Sequence, residues 1–302
     1  MRQFFKYIRI LLSYILGLIL SLLYRIKPAK RLCPSANHPQ LIVSVTSYGR
    51  RVAKVLRYPL LSILHQTRRP DRIVVWLDND HFSDENIPSY LRRMISEYGI
   101  EVKYCEDLKS YKKLVPSLRE FPEDIIVTID DDQVYDRHTL EKLWNMHMEH
   151  PESIICPIAH VPVFESGNLK PYFTWQLNVK HSDSRILFPV GAFGVLYPPH
   201  SLFSDANDSS LFTSLSPHAD DVWFWFMGLM NHRRVYMTGN WTCRPIDLAY
   251  QLIHRDDSLM KQNLLNNRND VQIEAVLEHY GVAPNQTALE GLLDGTHVDL
   301  FS

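Results

Sequence analysis

The sequence predicts an α/β fold with a mainly parallel central sheet covered by helices on both faces. Two observations carry that prediction. Short runs rich in β-branched residues alternate with helical segments four times between Leu41 and Ile129, at the spacing of βα units. The fourth run, in IVTIDDDQVY (Ile126–Tyr135), has the composition of a strand buried on both faces, and it empties into Asp130, Asp131 and Asp132. Ligands of open α/β sheets bind at the carboxyl ends of the strands, so these acids stand at the ligand edge.

Residues 1–31 differ from the rest. Ile10 to Tyr24 (ILLSYILGLILSLLY) is apolar apart from its serines, with Arg2, Lys6 and Arg9 before it and Arg25, Lys27, Lys30 and Arg31 after it. This is the composition of a membrane-associating helix. Its uncharged core is short against the roughly 20 residues of a span, which leaves spanning and in-plane insertion both open. The basic flank that follows favours a cytoplasmic catalytic part bound to the membrane by its amino end. No small-residue cleavage site follows Tyr24, which argues against a removed signal peptide. Sequons at Asn207, Asn240 and Asn285 keep a lumenal, type II arrangement as the alternative.

A proline-containing linker, Pro28 to Pro39, leads into a globular domain over residues 40–285. Leu41 to Val45 reads as the first strand, ending in a polar turn. Arg51 to Gln66 carries Val52, Val55, Leu56, Leu60, Ile63 and Leu64 at near-helical spacing, and Pro59 is expected to end, kink or restart that helix. Arg72 to Leu77 is a second strand closing in Asp78-Asn79-Asp80, Ile87 to Tyr98 a helix with Pro88 in its first turn, and Glu101 to Tyr104 a third strand. Lys109 to Phe121 reads as a helix stopped by Pro122. Together with the aspartate strand these form a nucleotide-binding half, 40–135.

The acceptor half, 136–285, opens with a helix from Arg137 to His150 and an apolar run from Ser153 to His160. It is less regular through the strand-like FPVGAFGVLYPP (Phe188–Pro199) and the loop Ser204–Ser210. In SPHADDVWFWFMGLMN two acids open an apolar, buried helix. Asn269 to Tyr280 reads as a further helix, and residues 286–302 as a polar, loose tail.

With 302 residues, 45% of them hydrophobic and 22% charged, the chain has enough apolar residues for a sizeable core. A formal charge of -2 with mixed signs provides no general basic field, which argues against a dedicated nucleic-acid binder. Cys33, Cys105, Cys156 and Cys243 have neither zinc-ligand spacing nor the density of a disulfide framework, and read as reduced thiols.

Chemistry concentrates in two acidic groups. In an extended segment Asp130 and Asp132 project to one side while Asp131 faces elsewhere, an arrangement suited to Mg2+ or Mn2+, which take carboxylate and substrate phosphate oxygens. The competing reading is an Asp-rich turn capping the following helix. Asp220 and Asp221, at the start of the apolar helix, are either a general base with a raised pKa or a helix cap. Gly191 and Gly194 either let the backbone approach a donor sugar or mark strand bulges. Trp175, Trp223 and Trp225 are either core or sugar-stacking residues.

The ordered set VTSYGRR, SILHQTRRPDRIVVWL, VTIDDDQVY, GAFGVLYPP and HADDVWFW, within a span from Leu41 to Gln272, resembles the GT-A (Rossmann-like) fold of nucleotide-sugar glycosyltransferases. It is most similar to a group of bacterial enzymes of lipopolysaccharide and capsule synthesis, and the triplet stands where that superfamily keeps its DxD motif. The resemblance implies that Thr46, Ser47 and Arg51 line the nucleotide site and that Asp78 contacts the base. It further implies that Lys109, Lys112 and Lys113 neutralise diphosphate charge, with Asp131 and Gly191 bordering the donor. Asp130 and Asp132 would bind the cation, Mn2+ or Mg2+, and His254 is either a third ligand or a structural histidine. Asp221, with Asp220 beside it, would deprotonate the acceptor hydroxyl. Asn266, Asn267 and Asp270 match a polar patch of those enzymes without an assigned role.

The expected reaction is transfer of a sugar from a nucleoside-diphosphate sugar, a UDP-sugar, to a saccharide or lipid-linked saccharide acceptor. Inversion is expected, with the enzyme on the cytoplasmic face of a bacterial inner membrane. Two alternatives stand beside it. A nucleotidyltransferase would carry a glycine-rich phosphate loop near the first strand, which VTSYGRR is not. A non-catalytic, membrane-attached sugar-binding protein would tolerate loss of the acids.

Overall fold

The computed structural model describes residues 2–34, 36–239, 243–245 and 268–296. The first half comprises α1 (Arg2–Ile26), β1 (Leu41–Thr46), α2 (Gly49–Lys54), α3 (Arg57–Leu64), β2 (Arg72–Asp78), α4 (Ser89–Tyr98), β3 (Glu101–Cys105), α5 (Val115–Glu120), β4 (Ile125–Ile129) and β5 (Gln133–Tyr135). There follow α6 (Thr139–Glu149), β6 (Ile154–Cys156), β7 (Ala159–Val161), β8 (Phe164–Glu165), β9 (Asn168–Leu169), β10 (Gln176–Val179), β11 (Phe188–Pro189) and β12 (Val195–Tyr197). The last described elements are α7 (Ser209–Leu215), α8 (Asp220–Met230), β13 (Val235–Met237), β14 (Cys243–Pro245), α9 (Arg268–His279) and α10 (Gln286–Asp294).

Seven strands form the main sheet in the order β13-β6-β12-β4-β1-β2-β3. All its pairings are parallel except those of β12 with β4 and β6. The carboxyl ends of β1, β2 and β4 therefore share one edge. Because β12 runs against β4, the residues just before it reach the same edge. The topology thus brings Thr46, Asp78, the aspartate triplet and Gly191 to one side of the sheet.

Both faces of β4 are covered, as its β-branched run predicts. Ile125, Val127 and Ile129 join the core under α2, α3, α4 and α6, while Ile126 joins the core that holds α8, α9 and α10. In α8, every residue from Val222 to Leu229 is buried, since a helix that is apolar all round finds no stable position at a surface. Trp223, fully buried, packs edge-on against Phe212 and lies 6.4 Å from Tyr280.

Several elements differ from their sequence expectation. The helix expected over Arg51–Gln66 breaks at Val55 and Leu56 into α2 and α3, so Pro59 falls in the first turn of α3, where its missing N–H leaves no bond unmade. Lys109–Phe121 divides at Leu114 into a 3₁₀ turn, Lys109–Lys113, and α5, which Pro116 opens. Phe188–Pro199 is β11, a 3₁₀ turn at Gly191–Phe193, and β12. The tail expected to be polar and loose begins with α10, capped by the Asn285 side chain and burying Leu289, Leu292 and Leu293. The expected amino-terminal helix forms as α1, and among the described residues no helix is long and apolar enough to cross a membrane.

Replacing Trp223 by Ala removes the largest fully buried side chain of α8. It should cost about 3–5 kcal/mol in urea unfolding. A loss within about 0.5 kcal/mol, as at a surface position, would contradict this placement.

Candidate active site

Beyond Ile129 the chain leaves the strand and turns, and the turn fixes where the three aspartates point. The Asp130 amide donates to the Tyr135 hydroxyl at 2.9 Å, and that hydroxyl donates to the Ala192 carbonyl at 2.9 Å. Buried Tyr135 thereby ties the triplet to the 3₁₀ turn at Gly191. Ser47 Oγ donates to Asp131 Oδ2 at 2.5 Å. Arg51 Nη2 lies 2.7 Å from both Asp131 Oδ1 and Asp132 Oδ2. Asp130 faces the other way, 3.3 Å from Lys113 Nζ, which also stands 2.9 Å from Asp220 Oδ2.

This corrects the expectation that Asp130 and Asp132 converge while Asp131 turns away. Asp131 and Asp132 share Arg51, because the period-two alternation of a strand does not continue into a turn. The capping alternative also fails. The residue at the N-cap of α6 is His138.

Asp220 and Asp221 occupy the first turn of α8, whose N-cap is Ala219, so neither acts as a cap. The helix dipole there favours negative charge. Asp221 Oδ2 accepts a 3.3 Å hydrogen bond from the Gly191 amide. A Cβ at Gly191 would collide with Asp221 Oδ1, so the missing side chain admits this carboxylate. That close contact, rather than a bulge, is what the glycine does in this structure.

Five carboxylates are thus gathered against two cationic side chains, Arg51 and Lys113. Burial and then the charge of Asp220 raise the Asp221 carboxyl to about 7. Burial, against the opposing pull of Arg51, raises Asp131 to about 7. Burial also raises Asp130 in spite of Lys113. Burial disfavours the charge on Lys113, but Asp130, Asp220 and Asp221 hold its ammonium protonated. Unneutralised carboxylates in a partly buried cluster are the donor chemistry that a hard divalent cation takes. Among the described residues no three acidic, histidine or cysteine side chains converge on one point. A cation at this edge would have one or two of these carboxylates as its protein ligands.

The remaining expected residues fall into place around this cluster or away from it. Asp78 closes β2 beneath His81 Nδ1 at 2.5 Å and Lys112 Nζ at 3.5 Å, and these partners outweigh burial to lower its pKa. Thr46 Oγ1 donates to the Trp76 carbonyl at 2.9 Å. Lys109 does not join the cluster: it is exposed and pairs with Asp107, because its backbone takes a left-handed conformation, φ 54°. Trp175, Trp223 and Trp225 are buried core residues and present no sugar-stacking face. Asp270 accepts the Tyr172 amide at 2.6 Å, a structural tie between α9 and the 3₁₀ turn at Tyr172–Thr174. His254, Asn266 and Asn267 lie outside the described residues. Tyr135 is a site residue that sequence reading missed, since a tyrosine ending an apolar run reads as core.

Two predictions come from this geometry. Gly191→Ala should displace the Asp221 carboxylate and lower turnover on the order of 10²-fold, as roughly ångström-scale misplacement does, while the far-ultraviolet circular dichroism stays unchanged. Undiminished turnover would show that the contact is dispensable. The raised Asp131 and Asp221 carboxyls favour the fold in their neutral form. Their contribution is fully present below the ordinary aspartate value of about 3.9 and is lost as pH rises through about 7. A thermal-denaturation series should therefore show a larger gain from Mn2+ with a nucleoside diphosphate at pH 8 than at pH 5, and equal gains would refute it.

Residues 42–196 match the model of the family described as Glycosyl transferase family 2. No curated protein matches the sequence. Solved structures to which the chain is similar include S. aureus TarS 1-349 in complex with UDP-GlcNAc, 12% identical, with 85% of this chain and 71% of that chain covered and a TM-score of 0.49. Another is the mannosyltransferase PcManGT from Pyrobaculum calidifontis in complex with GDP-Man and Mn2+, 15% identical, with 96% of this chain and 89% of that chain covered and a TM-score of 0.43. The family match runs from β1 to β12, taking in the aspartate triplet and Gly191 and ending before Asp220 and Asp221. It covers more than half of the chain, and on that ground the protein belongs to glycosyl transferase family 2.

Proposed function

We propose that this glycosyltransferase moves a sugar from a nucleoside-diphosphate sugar, a UDP-sugar, onto a saccharide or lipid-linked saccharide in the synthesis of a surface polysaccharide or lipopolysaccharide. It does so with inversion and with the aid of Mn2+ or Mg2+. The observation that carries this reading is the junction of two acidic groups through Lys113, 3.3 Å from Asp130 and 2.9 Å from Asp220. The triplet, at the carboxyl end of β4, supports a donor diphosphate. The pair opening α8 supports the acceptor chemistry.

In this reading one or two carboxylates of the triplet, Asp132 among them, would hold the cation, which would supply charge neutralisation for the departing diphosphate when bound. Arg51 and Lys113, which now balance the aspartates, also meet the phosphate oxygens, and Ser47 steadies Asp131 beside them. Thr46 and Asp78 border the nucleoside at the ends of β1 and β2. Asp221 takes the acceptor proton. Its pKa of about 7 suits a general base working near neutrality, and Gly191 fixes its direction. The sugar passes through an oxocarbenium-like state, and attack from the face opposite the diphosphate gives inversion.

The test is nucleoside-diphosphate release from a panel of nucleotide sugars, with and without EDTA. The rate should climb as pH rises through about 7, because Asp221 accepts a proton only when ionised. Asp221→Asn should lower the rate on the order of 10²–10⁴-fold and remove that pH dependence. Asp132→Ala should weaken the response to Mn2+. Full activity in both variants would overturn the assignment.

A further inference from the structure

α1 is attached to the domain by a narrow stripe. Gly17, Leu20, Ser21 and Tyr24, at the i, i+3, i+4, i+7 spacing of one helix face, are wholly or partly buried. Leu20 and Tyr24, together with Tyr58, pack on Val55 and Val134. The opposite face is exposed and apolar. Ile8, Leu12, Ile15, Ile19, Leu22 and Ile26 follow one another at four- and three-residue steps, with exposures from 36% to 80%.

Such a stripe fits either a second helix or a lipid surface, and the flanking positions decide between them. In a coiled coil the positions beside the seam carry charges. Here they are Leu11, Leu16, Leu18 and Leu23, all exposed, which broadens the apolar face well beyond a seam. Charge points the same way. Arg25, Lys27 and Lys30 are exposed where the helix ends, and no acidic residue occurs before Asp71, whereas 13 lysines and arginines do. A broad apolar helix face bordered by cations matches the interface of an anionic bilayer.

The docked stripe also settles orientation. A helix crossing the bilayer would present all its sides to lipid, whereas from Gly17 to Tyr24 one side of α1 rests on α3, β5 and β14. We infer that α1 lies in the plane of an anionic membrane with its Leu12–Ile26 face immersed, and that the acid-lined site beside it acts on an acceptor held in that membrane. The second part rests on the glycosyltransferase reading above. Its structural basis is that Val134, on which α1 packs, lies two residues after Asp132. The site and the helix share one short strand.

The test uses the full chain synthesised cell-free in the presence of phosphatidylglycerol or phosphatidylcholine vesicles and separated by flotation. Binding to the phosphatidylglycerol vesicles, extractable by alkaline carbonate and reduced by added salt, is expected. The triple variant I15D/I19D/L22D, changed only on the exposed face, should lower the bound fraction by more than about tenfold. It should release nucleoside diphosphate from donor sugar in solution at the parent rate, which separates failure of this inference from failure of the catalytic reading. Resistance to carbonate would show a spanning helix and overturn the in-plane arrangement. Equal flotation of the variant, or a concentration-dependent dimer without vesicle binding, would overturn the membrane surface.

Discussion

The crowding of carboxylates at one edge of the sheet is the constraint on which the rest of the site depends. Asp130, Asp131, Asp132, Asp220 and Asp221 are brought together by a parallel sheet whose strand ends coincide and by a helix whose first turn points at the same edge. Such a grouping opposes folding unless its charge is answered. Arg51 and Lys113 answer part of it, the Ser47 hydroxyl and the Gly191 amide add hydrogen bonds, and protonation of the raised carboxyls relieves more. The incomplete balance is the feature on which the proposed cation and nucleoside-diphosphate donor rest.

The apolar mass beneath this edge holds it open. α8 is buried along its length between the sheet and α9 and α10, so its first turn cannot swing away from the cluster without uncovering Trp223, Phe224 and Phe226. Packing of this density deforms at a cost. Tyr135 does the corresponding work on the triplet, joining the Asp130 amide to the Ala192 carbonyl by two hydrogen bonds made by one hydroxyl. The acids are placed by elements that have no part in the chemistry.

Much of this was legible in the residues. β-branched runs marked β1, β2 and β4 because strands buried on both faces have no polar alternation to obscure, and the acids that end β2 and β4 marked the ligand edge. Side-chain direction was less legible wherever the backbone left regular structure. Asp131 lies in a turn and Lys109 in a left-handed conformation that no glycine announces, so neither strand nor helix periodicity predicted where they point. The helix at Gln286–Asp294 escaped notice because it is short and flanked by polar residues, and its leucines matter only once α8 is there to receive them. The bond between Gly191 and Asp221 joins residues remote in sequence, and local pattern carries no record of it.

Lys113 gives the site an arithmetic of its own. One ammonium serves Asp130, at the end of a strand, and Asp220, at the start of a helix, and it has no second charge to offer either. The free energy of that ammonium cannot be divided between the two carboxylates, since removing one hands its share to the other. Substitutions at Asp130 and Asp220 are for this reason bound to be non-additive, and a double-mutant cycle across the pair measures a property of the lysine between them.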